Sequence, residues 1–476
     1  MIFLRGNGML AFKKNSRELN ENGLFSNKDL VKIILPLMLQ QILSVLVGAI
    51  DTMMVSYAGE SAVSGVSLVN SLDTVLVIFF TAMIGGGSIV VSQALGRKNY
   101  AEVNESAKQL IYIATAIATV LTVIVLTFRK PLLSLLFGGA EPDVMANAQD
   151  YFFFVALSFP LLAIESGISS IFRASGNTAI SLVVSIILNV VNIIGNAILI
   201  MGFDMGAKGA AIATLFARFV GCVILLVLIL NKKRSIHIEN ILRYKPDFKT
   251  IRKILYIGVP NGTENVMFQF GRLLTQALIS GMGTAVIAAN SVALTLANFQ
   301  YTIGTACSTA MIAVVGRCIG AGETGQAKRY SRILLGLNYV SLWLLIAVMT
   351  SLIEPIISLY GLSAEASELG KQFFVYHSIC AALIWPIGFM LPSSFRAAGD
   401  VHFSLVVSML SMWIFRVAGG YVFALESVSV FGLFSFPGLG MGAMGVWIAM
   451  TVDWAFRAAF FLWRYLSGRW LCAKKL

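Results

Sequence analysis

The sequence predicts an all-α membrane protein of twelve transmembrane helices in two parallel six-helix repeats. Composition, the spacing of apolar runs and a register that returns after 224 residues carry that expectation. Of 476 residues, 58% are hydrophobic and only 12% charged, with a mean hydropathy of +0.83. Soluble domains carry about 25% charged residues. This chain lacks the charged surface that would keep it dispersed in water, and lipid is its natural surround.

Crossing a hydrocarbon core of about 30 Å takes about 20 apolar residues in a helix, whose backbone satisfies itself there. Twelve such stretches run at 32–57, 66–94, 107–128, 149–172, 178–201, 209–230, 254–281, 286–315, 333–353, 372–394, 401–425 and 440–463. None alternates polar and apolar residues as a barrel strand does. Residues 1–30 are polar and mixed in charge, without the basic start, apolar run and cleavage site of a signal peptide, and read as a cytoplasmic tail. Cys222, Cys307, Cys318, Cys380 and Cys472 show no metal-ligand spacing and read as small packing residues.

The net charge of +12 would suggest nucleic acid in a soluble protein. Its distribution points elsewhere. With the N-terminus inside, cytoplasmic segments collect 27 of the 35 Lys and Arg, and external loops hold only Arg129, Lys130, Lys208 and Lys371. That asymmetry puts both termini in the cytoplasm at the cell (inner or plasma) membrane, with the bilayer rather than nucleic acid as partner. Arg218, Arg272, Arg416 and Arg457 fall inside helices.

The halves match at nearly constant spacing. Pro36 pairs with Pro260, Gly59 with Gly283 and Gly96 with Gly320, each 224 residues apart. The segment Phe172-Arg173-Ala174-Ser175-Gly176-Asn177 returns 223 residues later as Phe395-Arg396-Ala397-Ala398-Gly399-Asp400. Gly206-Ala207-Lys208-Gly209 returns after 236 as Gly442-Ala443-Met444-Gly445, so the second half has a longer loop before its last helix. Six helices per repeat make the repeats parallel, and two such lobes suit alternating access around a midplane site. The expected division is an N-lobe at 31–230, a cytoplasmic linker at 231–251, a C-lobe at 252–466 and a tail at 467–476.

No GxxxxGK[ST] phosphate loop, HExxH or GxSxG is present, so neither ATP hydrolysis nor another enzyme activity is expected. His237, His377 and His402 fall in loops or near expected helix ends and read as solvated or interfacial. The informative groups are acids inside helices, each costing about 2.5–3.5 kcal/mol at the bilayer centre. Asp453 and Arg457 stand four apart on one helix face and read as a pair. Asp73 fits either a pair or a helix irregularity, and Glu165, after Pro160, reads as structural.

Asp51 follows the apolar run LSVLVGAI in the first helix. Low dielectric favours the neutral form of a carboxyl group. A carboxylate that trades a proton or a cation for substrate is what ion coupling requires. Glu264 and Asn265 stand in Pro260-Asn261-Gly262-Thr263-Glu264-Asn265, a stretch rich in oxygen ligands, and form a candidate substrate or proton site. The alternative for Glu264 is a structural pair with Arg272, about 12 Å further along the helix axis. Asn189, Asn192 and Asn196 share one helix face, fit either for a cation or for bonds between helices.

These residues resemble the multidrug and toxic compound extrusion (MATE) family over roughly 30–470. The landmarks include Ala49-Ile50-Asp51-Thr52, Gln93-Ala94-Leu95-Gly96, the two Phe-Arg-Ala segments, Gly258-Val259-Pro260 and Gly445-Val446-Trp447-Ile448-Ala449-Met450. The resemblance implies two bundles forming a V and export of cationic or amphipathic small molecules in exchange for H⁺ or Na⁺. No cofactor is expected, and the chain is expected to act as a monomer. By the same resemblance the ion-coupling site is Asp51, Asn192, Asn196 and Thr214, with Na⁺ as the metal ion open to Asp51. Asn196 stands where the family has a carboxylate, and the family's helix 7 Glu falls near Phe268, one turn after Glu264. Two other activities fit the same architecture: a flippase for lipid-linked saccharides, and, from a different class, a channel or membrane sensor.

Overall fold

The computed structural model describes residues 23–232, 234, 236–239, 245–430 and 434–472. Most of the expected tail 1–30, part of the linker 231–251 and the end of the tail 467–476 lie outside the described residues.

The first lobe begins with α1 (Asn27–Ser56), whose N-terminus is closed by a reciprocal Ser26–Asp29 capping box. Then come α2 (Glu60–Gly96), α3 (Tyr100–Phe137), α4 (Pro142–Leu157), α5 (Phe159–Ala174), α6 (Thr178–Gly202) and α7 (Gly206–Leu230). The second lobe holds α8 (Phe248–Ser280), α9 (Thr284–Gly320), α10 (Thr324–Ser351), α11 (Ala364–Ala397), α12 (Val401–Ala424) and α13 (Gly442–Leu466). The repeat is visible in the backbone. Gly59 and Gly283 open α2 and α9 at φ of 91° and 101°, a conformation that disfavours any side chain with a Cβ.

Ten of these helices are long and apolar enough to cross a membrane, and the pair α4 and α5 makes an eleventh span. Two expectations need correction. The span expected at 149–172 is not continuous: α4 and α5 meet at 45°. Pro160 in the first turn of α5 has no N–H to continue the ladder. The seventh expected span, α8, has 33 residues and is about 50 Å long. Asn261, Glu264, Asn265, Gln269 and Arg272 make it too polar to register by hydropathy. It packs on α2 of the first lobe and lines the central cavity through Asn261, Glu264, Asn265 and Phe268. The longer loop expected before the last helix is a short antiparallel hairpin, Ser427–Val430 with Phe434–Pro437.

Each lobe buries its own core. One cluster centres on Phe80, Phe152 and Phe159, another on Phe373, Trp447 and Trp454. The lobes meet along α2, which packs on both α8 and α9. A Cβ on Gly96 would run into the Arg317 carbonyl, and one on Gly320 into the Gln93 carbonyl. At this seam Gln93 Nε2 donates to Ala397 O at 2.8 Å, and Arg317 Nε donates to Ala174 O at 3.1 Å. Further along α2, a Cβ on Gly86 would lie 2.5 Å from the Gly258 nitrogen. Small residues allow this approach of backbones, as is common between membrane helices. Beyond the seam the lobes leave a cleft.

Candidate functional site

In the first lobe, Asp51 lies in the penultimate turn of α1, facing α6. Asn196 Nδ2 donates to Asp51 Oδ1 at 3.0 Å and to Asn192 Oδ1 at 3.3 Å. Asn192 Nδ2 donates to Thr214 Oγ1 on α7 at 3.2 Å, and Thr214 donates to Ala210 O at 3.0 Å. The four residues singled out from the sequence thus form one hydrogen-bonded chain across three helices. Among the described residues no hydrogen bond joins Asn189 to it. The helical ladder widens after Asn196, so that Phe203 N reaches back five residues to Ile198 O. Such widened turns collect at functional sites.

The chain has a direction. It runs outward from Asn196: one bond of its NH₂ group goes to the carboxylate, whose oxygens only accept, and the other leads away through Asn192 and Thr214 to Ala210 O. Asn196 Oδ1 is buried without a partner among the described residues. A carboxylate and an orphaned amide oxygen side by side form a surface of acceptors. A proton on the carboxyl group or a small cation between the oxygens satisfies it.

Asp73 pairs with Arg218 at 4.0 Å, and Arg218 also donates to Ser158 Oγ. The sequence left Asp73 open between pairing and helix irregularity; pairing is what occurs.

In the second lobe, Glu264 is not paired with Arg272. Glu264 Oε1 accepts from Ser408 Oγ at 2.7 Å, and Oε2 lies 3.5 Å from Arg396 Nη1. Arg396, from the end of α11, comes to the acid across the lobe, whereas Arg272 lies two turns along the same helix. Arg396 also donates to Asn261 Oδ1 at 3.3 Å. Asn265 Nδ2 donates to Asn261 O at 2.7 Å, within α8.

Asp453 and Arg457 pair at 2.8 Å as their spacing implies, and Arg416 lies 3.7 Å from the other carboxylate oxygen. Asp453 is fully buried between them. Breaking a buried pair from one side leaves an uncompensated charge and costs about 3–5 kcal/mol. Asp453→Ala is therefore expected to lower stability by about that much, read as a lower melting temperature in detergent. An unchanged melting temperature would show that the arginines find other partners.

A central cavity of about 690 Å³ separates the lobes just beyond the seam. Glu165, Arg173, Glu264, Asn265, Arg396 and Arg457 all line it. The sequence placed Glu165 as structural and assigned Arg173 and Arg396 to cytoplasmic loops. The two arginines stand instead in the last turns of α5 and α11 and border the cleft. The repeated Phe-Arg-Ala motif was the signal for their equivalence. His377 is also corrected: it is buried in α11, bonded to Tyr301 and edge-on to Trp447 and Trp454. Among the described residues no three His, Cys, Asp or Glu side chains cluster as metal ligands.

A chain with 26% identity over 462 residues, covering 93% of both proteins, is the Thermotoga maritima "Probable multidrug resistance protein NorM". Another, 26% identical and covering 92% of this chain and 93% of its own, is the "Uncharacterized transporter YisQ" of Bacillus subtilis. The fold superposes with a TM-score of 0.83 on a solved structure described as the outward-facing conformation of a multidrug resistance MATE family transporter. That structure shares 17% identity, with 94% of this chain and 97% of that one covered. The MatE family model matches residues 36–198 and again 260–422, two segments beginning at the repeated prolines Pro36 and Pro260. A multi-pass helical protein with that duplicated match belongs to the MatE family of membrane transporters.

Proposed function

We propose that this protein is a secondary antiporter that exports amphipathic or cationic compounds in exchange for H⁺ or Na⁺. The observation that carries the reading is the hydrogen-bonded set Asp51, Asn196, Asn192 and Thr214, which lies in one lobe and holds one carboxylate. It is accompanied by a cleft between two lobes that touch at one end, the arrangement alternating access requires. The relatives named as multidrug resistance proteins support the substrate class. With both termini in the cytoplasm, the Gly96–Gly320 seam is the cytoplasmic gate, and the conformation faces outward.

Asp51 is the carboxylate of this chain of four, the others being neutral amides and a hydroxyl. That composition suits a proton, since protonation neutralises the site outright and low dielectric favours the neutral acid. The test is efflux from proteoliposomes under either a pH or a Na⁺ gradient at fixed membrane potential. Efflux that follows the pH gradient assigns H⁺. Efflux that follows only Na⁺ overturns that assignment, and Asn196→Asp should then tighten Na⁺ binding. Movement of a lipid-linked saccharide, or current without exchange, would replace the antiporter with a flippase or a channel.

Glu264 and Asn265 are assigned to the substrate side of the cycle because both border the central cavity. Glu264→Gln is expected to weaken transport of cations several-fold while sparing neutral compounds, measured as efflux rates in vesicles. Equal loss for both would make the Glu264–Arg396 contact structural, and Arg396→Gln should then reproduce it.

A further inference from the structure

We propose that a second cavity, between α2 of the first lobe and the helices of the C-lobe, binds the carboxylate or phosphate group of an amphipathic organic anion through Arg272 and Arg416. The cavity holds about 340 Å³ and is bounded by α2, α8, α9 and α13, with Arg416 reaching in from α12. Among the described residues no ion pair joins Arg272 to an acid. The neighbouring acids are engaged elsewhere: Asp73 with Arg218 at 4.0 Å, and Asp453 with Arg457 at 2.8 Å. Arg416 reaches Asp453 only at 3.7 Å. Arg416 and Arg457 also lie over the same Phe268 ring, each 5.3 Å from its centroid. Arg416 and Arg457 therefore share one carboxylate, and Arg272 beside the cavity has no acid partner among the described residues.

Charges within a bilayer are normally paired, and an unpaired one costs about 2.5–3.5 kcal/mol or more. A ligand anion supplies the missing partner. Guanidinium groups suit it because their N–H donors match carboxylate and phosphate oxygens. Gln276 adds to the polar wall: its oxygen accepts from Asn290 at 3.0 Å, leaving its NH₂ group to donate. Ser71, Thr74, Gln269 and Thr275 add further polar groups, and Trp447, Ile279 and Leu294 form an apolar part of the wall. An inorganic ion would leave the apolar part uncovered, whereas a ligand with an aromatic or alkyl body covers it. The volume falls within the range of small-molecule sites, about 300–1,000 Å³.

This site lies apart from the Asp51 chain and from Glu264, so it extends the proposed transport function to substrates carrying negative charge. The test is equilibrium binding, with no ion gradient, to the full chain in phosphatidylcholine nanodiscs. The probes are 2-naphthoate, its neutral amide and the cationic naphthylmethylamine, which share one ring system and differ in charge. Naphthoate is expected to bind at least about tenfold more tightly than the amide, as loss of a charge-assisted hydrogen bond implies. Arg272→Gln should erase that preference, and Arg272→Lys should keep part of it. Nanodiscs with added phosphatidylglycerol identify the source of the anion. Competition by this lipid in wild type, absent in Arg272→Gln, assigns the site to a lipid headgroup, and no competition assigns it to soluble anions. Equal binding of the three probes, preference for the amine, or an Arg272→Gln variant that selects like wild type overturns the proposal. Because no gradient is applied, failure of ion coupling would not affect this result.

Discussion

Asp51→Asn is expected to abolish ion-driven efflux while leaving the protein folded in the membrane. The substitution keeps the size of the side chain and an oxygen that can accept from Asn196 Nδ2, the contact now at 3.0 Å. It removes the charge. The amide chain from Thr214 through Asn192 and Asn196 would then end on a neutral group with nothing to neutralise. A gradient can drive transport only if the ion binds the two conformations with different affinity. Without a titratable group, proton binding at this position is gone and that difference vanishes with it. Efflux of ethidium from vesicles under an imposed gradient is expected to fall to the level of empty vesicles, with expression and elution profile unchanged. Wild-type efflux from a well-expressed variant would remove Asp51 from the coupling mechanism.

Much of this site was legible because helix geometry is local. Asn192 and Asn196 stand four residues apart and must share a face, and Asp453 and Arg457 do the same. Contacts between helices were less accessible. The sequence offered Arg272 as a partner for Glu264 because both lie on α8, but the partner is Arg396, brought in from α11 by packing that no spacing rule encodes. From the sequence Arg173 and Arg396 read as loop residues because each directly precedes a turn containing glycine. The helices run one residue past them, and both side chains border the cleft. His377 reads as interfacial from the sequence because the apolar run of its span begins at 372. The helix starts at Ala364, which carries His377 into an aromatic cluster contributed by α9, α11 and α13. Hydropathy also undervalued α8. A helix that faces a cleft and a second lobe need not satisfy lipid on every side.

Gly320→Leu is expected to open the seam between the lobes and to block transport without unfolding either lobe. In the present conformation the backbones of α2 and α9 touch at repeat-related positions, Gly96 and Gly320. A side chain at Gly320 must push away the carbonyl of Gln93. That movement also strains two cross-lobe hydrogen bonds, Gln93 to Ala397 and Arg317 to Ala174. Overpacking of this kind costs about 1–3 kcal/mol. Here the cost falls on the closed seam alone, because separation of the lobes relieves it. A penalty on one of two conformations shifts their ratio by about tenfold for each 1.4 kcal/mol. The shift can be read by spin labels at the exposed positions Asn99 and Glu323, in a background lacking the five native cysteines. Wild type should give a short distance and Gly320→Leu a longer one, with efflux reduced by about tenfold or more, in proportion to the lost closed state. Gly96→Leu should do the same, since the repeat places it on the opposite side of the same contact. An unchanged distance accompanied by normal efflux would show that the seam closes by some other contact, and that backbone proximity at Gly96 and Gly320 does not set the gate.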